Sequence, residues 1–214
     1  VAEQQTGGRG RRGRSFVSPA GQGLYLSVLL RPRCPLEEVS ALTAWTAVAV
    51  CNAVERGCGV RPGIKWPNDV ILDGRKLCGI LTELGLEGES NALDYLITGI
   101  GVNVNQRTED FLPEVRPIAV SLAQELGRPV RRAELAVEII RALDRMYAGF
   151  PDNKAEYLAR YRADCLTPGN QVQLITPVSR EEAFALEIDD QFRLVVEYPD
   201  GRRAALSAGE VSVR

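Results

Sequence analysis

Three runs of apolar, β-favouring residues follow one another between positions 64 and 104: Ile64 to Leu72, Leu77 to Leu84 and Leu93 to Val104. Asp73-Gly74 divides the first two and supplies the positive φ angles that a two-residue hairpin needs, so those runs are expected to pair antiparallel. Gly23 to Arg31 is a fourth strand-like run, ended by Pro32. Between them, Leu36 to Arg56 repeats apolar residues at helical spacing through Val39, Leu42, Ala49 and Val54, with Gly57 and Gly59 as stop signals. A sheet backed by one long buried helix is the expected centre of the fold.

Further helical patterns cover Ile118 to Leu126, Ala133 to Phe150 and Lys154 to Cys165, the second with Leu135, Ile139, Leu143 and Met146 on one face. From Thr167 the texture changes to short alternating runs (QVQLIT, EAFALEI, FRLVVEY, RAALS, EVSV) divided by turns such as Asp189-Asp190 and Asp200-Gly201. The reading is an α/β unit over 1–166 followed by a small barrel-like β unit over 167–214. With 214 residues, of which 45% are hydrophobic, the chain has enough material for one core and a small second one.

Charge narrows the function. The net charge of −2 argues against a general nucleic-acid or membrane-surface binder. Yet residues 8–14 read Gly-Arg-Gly-Arg-Arg-Gly-Arg, a local cation trap in which glycines let the backbone approach a ligand and guanidiniums match phosphate or carboxylate oxygens in pairs. Histidine is absent, which removes the usual general base and metal ligand. Chemistry must therefore run on Lys, Arg, Asp, backbone dipoles and a hard cation. Five cysteines with no C-x-x-C spacing read as reduced, buried thiols. With neither a long apolar run nor a signal-peptide pattern, a cytoplasmic location is expected. The chain meets its Gly/Arg loop almost at once after Val1, as a domain lacking its first element would.

Four islands stand out from the core pattern: Gln5 to Arg14, Lys65 to Asp69 (KWPND), Gly74 to Leu81 (GRKLCGIL) and Gly99 to Asn105 (GIGVNVN). Pro67-Asn68-Asp69 is good turn chemistry; equally, Lys65 can neutralise phosphate, Asn68 fix a ligand oxygen and Asp69 hold magnesium. Lys76 stands just past the Asp73-Gly74 turn, and hairpin pairing brings it back toward Asp69. Asn103 and Asn105, at period two, are expected on one strand face, either as strand-end caps or with a hydrogen-bonding task.

In this order, together with SPAGQGLYLS, the islands resemble the catalytic domain of biotin protein ligases, which activate biotin with ATP and attach it to a carrier-protein lysine. The resemblance runs over nearly the whole chain. It implies a mainly antiparallel sheet with flanking helices, related to class II aminoacyl-tRNA synthetases, and a C-terminal SH3-like module. It places Gln5, Gly8, Gly10, Arg9 and Arg11 at biotin and in the loop over biotinyl-5′-AMP. Lys76 is placed at the carboxylate and phosphate, and Gly79 and Leu81 beside the biotin ring. Phe16, where tryptophan is usual, falls on the nucleotide side, and Lys65, Asn68, Asp69 and Asn103 on the face for ATP and Mg2+. The Ser/Thr-rich segment that begins such domains does not precede Gln5, and no DNA-binding winged helix is present, so a single-function ligase is expected. The implied partners are a biotin carboxyl carrier protein and a possible second copy of the chain.

Such a reaction suits these residues. Adenylation joins two anions, so Arg9, Arg11, Lys65, Lys76 and a magnesium ion on Asp69 lower its barrier without an acid or base. The Gly/Arg loop, expected to be disordered or highly mobile over 7–15 without ligand, could close over the adenylate. Asp69 could also accept the proton of the incoming amine. The alternatives are a lipoate or octanoyl transferase of related fold, a nucleic-acid arm carried by the arginines, and an inactive paralogue.

Overall fold

The computed structural model describes residues 1–13, 15–35, 38–88, 93–175 and 179–213, with only the backbone described at 12, 40 and 213. Five strands form the first sheet: β1 (Gly23–Leu30), β2 (Gly63–Lys65), β3 (Asp69–Leu72), β4 (Arg75–Leu86) and β5 (Leu93–Asn103). Their order is β1-β5-β4-β3-β2 and every pairing is antiparallel. Asp73 and Gly74 both take positive φ (48° and 68°), so the β3–β4 connection is the expected tight turn. The run from Ile64 to Leu72 is corrected from one strand to two, because Trp66-Pro67-Asn68 folds it into a β2–β3 hairpin.

Alternation gives the sheet two unlike faces. Cys78 and Ile80 on β4, and Leu96, Ile100 and Val102 on β5, are buried. Against this sheet lies α1 (Val39–Cys58), joined to it by a hydrogen bond between the Thr43 and Thr82 hydroxyls (2.9 Å). On α1, Leu42, Trp45, Val48, Val50 and Val54 are at most 1% exposed, because the sheet covers one side while α3 (Arg132–Ala148) and α4 (Lys154–Asp164) cover the others. The helix passes through Gly57 and stops only at Gly59, whose left-handed φ of 77° lets its N–H return to Glu55 O. On α3, Leu135, Ile139, Leu143 and Met146 are all buried, as the periodicity predicts.

The helix expected from Ile118 is shorter: α2 spans Leu122–Leu126. Ser121 caps it by accepting from Gln124 N, while residues 118–120 are drawn out beside β4, with Lys76 N donating to Ile118 O (2.8 Å) and Val120 N to Lys76 O (3.0 Å). Tertiary pairing outbids a weak helical pattern there.

A second five-stranded antiparallel sheet follows: β6 (Gln171–Ile175), β7 (Arg180–Ile188), β8 (Leu194–Glu197), β9 (Arg203–Leu206) and β10 (Glu210–Val213), ordered β10-β6-β7-β8-β9. Its buried Val172, Ala185, Leu194 and Val196 belong to the same apolar cluster as α1. The two sheets meet at the β2–β3 turn. Trp66 N donates to Thr167 Oγ1 (2.9 Å), Trp66 Nε1 to Phe192 O (3.1 Å) and Tyr161 OH to Pro67 O (3.0 Å).

All five cysteines are free thiols. Burial, reinforced by Asp164, pushes the Cys51 thiol up to about 12, and burial drives Cys78 well above its usual value. An unfolded thiol ionises near its ordinary value, about 8.5. Between that pH and about 12 the unfolded chain sheds a proton that native Cys51 keeps, so stability falls as pH rises. A disulfide-exchange reagent at pH 8 is expected to label partly exposed Cys34 first, and Cys51 and Cys78 only after unfolding. Native labelling of all three at one rate would contradict this core.

Candidate active site

The Gly/Arg segment folds on itself. Gln5 N donates to Ser18 O (3.2 Å) and Phe16 N to Gly8 O (2.9 Å), Arg9 and Ser15 form a bridge, and Arg11–Gly13 makes a 3-10 turn. The expectation of a loop without structure of its own is therefore corrected: among the described residues it is a short hairpin. Gly8 is what permits it, since a Cβ there would lie 2.2 Å from Phe16 O and 2.9 Å from Gln5 Oε1. The Ser18 hydroxyl donates to Gln5 Oε1 (2.8 Å) and fixes that amide at the wall of the cavity beneath.

The floor of this cavity, about 370 Å3, is the open face of the sheet. Gly79 pairs with Gly101 and Leu81 with Gly99, and on the other side Tyr25 faces Gly101 and Ser27 faces Gly99. Three glycines side by side leave a trench where side chains would stand. The Phe16 ring lies on it: a Cβ on Gly101 would come within 2.7 Å of Phe16 Cε1, and the ring meets Tyr25 edge-on at 6.3 Å.

Lys76 enters by a local irregularity. Three residues from Gly79, it would fall on the opposite face of a regular strand. The register of β3 and β4 shifts between Val70 and Ile71. Leu77 and Cys78 are both buried, and Lys76 turns onto the trench side, where a Cβ on Gly79 would sit 3.5 Å from its Nζ. There Nζ meets Asp69 Oδ1 at 2.7 Å, with the two side chains 38% and 28% exposed, so a ligand can still reach both. Arg11 donates from Nη1 to Asn68 Oδ1 (2.8 Å) and from Nη2 to Gly209 O (3.0 Å), while Asn68 Nδ2 donates to Ile80 O. Arg9 forks onto Glu83, with contacts of 3.2 and 3.3 Å.

Of the residues singled out from sequence, Gln5, Arg9, Gly10, Arg11, Phe16, Asn68, Asp69, Lys76, Gly79 and Leu81 line this one cavity. Gly8 supports the hairpin from behind. Lys65 is opposite Asp69 in the β2–β3 register but does not line the cavity. Asn103 is buried behind β4, donating to Lys76 O (3.3 Å) and accepting from Gln106 Nε2 (3.2 Å). Asn105 lies past the end of β5 and pairs with both backbone groups of Val130, so the two asparagines do not share a strand face.

Sequence reading placed Gly99 and Gly101 in an island without giving them a role and passed over Tyr25, Ser27 and Glu83, although period two from Tyr25 marks Ser27 and period two from Gly79 marks Glu83. It had no signal for Gly209 and Glu210, which reach the same cavity from the start of β10.

A two-sheet fold with a glycine-floored trench lined by Arg9, Arg11 and Lys76 and by Asp69, Glu83 and Glu210 is the class this geometry defines; comparison with known proteins gives the family. The profile described as the biotin/lipoate A/B protein ligase family matches residues 1–103. Bifunctional ligase/repressor BirA of Bacillus subtilis is 35% identical over 209 residues, covering 97% of this chain and 64% of that protein. Biotin–[acetyl-CoA-carboxylase] ligase of Mycobacterium tuberculosis is 35% identical over 216 residues, covering 99% of this chain and 77% of that one. A solved biotin protein ligase from Aquifex aeolicus in complex with biotin and ATP superposes with a TM-score of 0.83 at 29% identity, covering 100% of this chain and 87% of that one. The chain belongs to the biotin/lipoate A/B protein ligase family, and its two sheets match the biotin protein ligase fold with its SH3-like C-terminal sheet. It spans just under two thirds of the length of its Bacillus relatives.

Gly8→Ala is expected to force the hairpin open and speed tryptic cleavage after its arginines, with the urea midpoint nearly unchanged. Gly7→Ala is the control, because nothing lies within 4 Å of a Cβ there. Equal cleavage of the two variants would show that the hairpin does not depend on that close approach.

Proposed function

We propose that this chain carries the catalytic unit of an ATP-dependent biotin–protein ligase. Biotin's carboxylate attacks the α-phosphorus of ATP, forming the C–O–P anhydride of biotinyl-5′-AMP and expelling pyrophosphate. A lysine amine of a biotin carboxyl carrier protein then attacks the acyl carbon, loses its proton and releases AMP. The observation that carries this reading is the convergence of Lys76, Asp69 and Arg11 on one glycine-floored trench.

The first step has an electrostatic difficulty, since a carboxylate must approach a centre ringed by negative oxygens. Lys76, over Gly79, is the cation placed to bridge both anions, and Arg11 screens the nucleotide end. Gln5, Gly10, Phe16 and Leu81 shape the trench for an uncharged ring, and Asn68 orients Arg11. Asp69 gives up part of its hold on Lys76 when an anion arrives. Among the described residues no three acidic, cysteine or histidine side chains gather, and one carboxylate plus substrate phosphates is a donor set that suits Mg2+ arriving with ATP. Asp69 is its protein ligand in this reading. Lys65 acts from beside the trench and Asn103 from behind it, through Asp69's strand pairing and Lys76 O respectively. The division at 166/167 separates the trench-bearing sheet from the one that supplies Gly209 and Glu210 to its wall.

Biotin-dependent exchange of pyrophosphate into ATP tests the proposal, with lipoate and octanoate as competing acids. Lys76→Ala should lower that exchange tenfold to a hundredfold, the equivalent of a charge-assisted contact of about 1.5–3 kcal/mol. Exchange driven by lipoate and not by biotin would overturn the substrate, and an unaffected Lys76→Ala variant would overturn the role of that lysine.

A further inference from the structure

The two arginines of the hairpin that line the cavity are tied to opposite ends of the trench. Arg11 is held by Asn68 and Gly209, next to Asp69 and Lys76. Arg9, two residues earlier, is held by Glu83 through both nitrogens and both oxygens. Glu83 shares a face of β4 with Gly79 and Leu81, and at about 3.3 Å per residue its Cα is about 13 Å from that of Gly79. Lys76 Nζ stands over Gly79. Arg9 is thus tied four strand positions along β4 from Gly79, at the end of the trench away from Lys76.

We infer that Glu83 is a positioning residue: it anchors Arg9 and so straps the Gly/Arg hairpin across the trench at the end away from Lys76, while Arg11 anchors the other end. The trench needs both ties because the hairpin between them is joined to the sheet mainly through side chains, and Gly10 between the arginines adds no side-chain contact of its own. An anchor at the Leu81 end closes the cavity over the ligand part that carries no charge. The assignment rests on the ligase reading for its kinetic consequences but not for its geometry.

The pair is exposed, its side chains 73% and 44% accessible, so its effect is modest and sensitive to salt: about two- to fivefold in the closed-to-open ratio of the strap. Without any ligand, Glu83→Gln should speed tryptic cleavage of the hairpin by that factor. The charge swap Arg9→Glu/Glu83→Arg should bring cleavage back toward the parent rate, and molar salt should erase the difference. In the exchange reaction, Glu83→Gln should raise KM for biotin and the release rate of biotinyl-5′-AMP by the same factor, with a smaller change in kcat. Unchanged cleavage in Glu83→Gln, no recovery in the charge swap, or a kcat loss exceeding the KM rise would each overturn the strap. Absence of biotin-dependent exchange in the parent chain would instead strike the ligase reading, leaving the proteolysis result to decide the strap alone.

Discussion

Pairing of β4 with β5 puts Gly79 beside Gly101 and Leu81 beside Gly99 on one face, while their neighbours Cys78, Ile80, Ile100 and Val102 are buried on the other. Both the core and the cavity depend on this register. A slip of one residue would carry the glycines into the apolar layer under α1 and turn the aliphatic side chains into the trench. The long buried helix therefore does more than stabilise: by demanding an apolar face it fixes which residues are left to form the floor. Phe16, Lys76 and the hairpin all take their positions from that floor.

Charge in this protein is local and paired. Each cation that lines the cavity has a partner within the protein: Lys76 has Asp69, Arg11 has Asn68 and Gly209 O, and Arg9 has Glu83. These contacts are partly exposed, so each costs little to exchange and keeps like charges apart at short range. In the proposed reaction an anionic ligand would exchange these partners for its own oxygens. The second sheet takes part because Trp66 donates to Phe192 O between β7 and β8 and its ring lies beside Gly209, whose carbonyl accepts from Arg11.

Much of this was legible beforehand. The strand runs, the Asp73-Gly74 turn and the buried face of α3 follow from short-range patterns that carry their own geometry. Elsewhere the arrangement departs from the local pattern for identifiable reasons. Residues 118–120 have a helical pattern, but Ile118 O and Val120 N pair with Lys76 on β4 instead of continuing a helix. Lys65 and Asn103 lie in the right islands, yet one is beside the cavity and the other behind it, because membership of a motif does not say which side of a strand a residue takes. Glu83 went unnoticed because a single glutamate in an apolar run reads as a solvated edge.

Local order and chemistry were determined by the chain alone: alternating apolar runs, turn residues with positive φ, and the clustering of arginines among glycines are properties of neighbours. Tertiary structure alone decided the facing. A shifted register at Val70 and Ile71 turns Lys76 onto the same side as Gly79, and contacts nearly two hundred residues apart bring Gly209 to Arg11. Both depend on how two separately patterned segments pack, and period and composition within one segment hold no information about the surface it will meet.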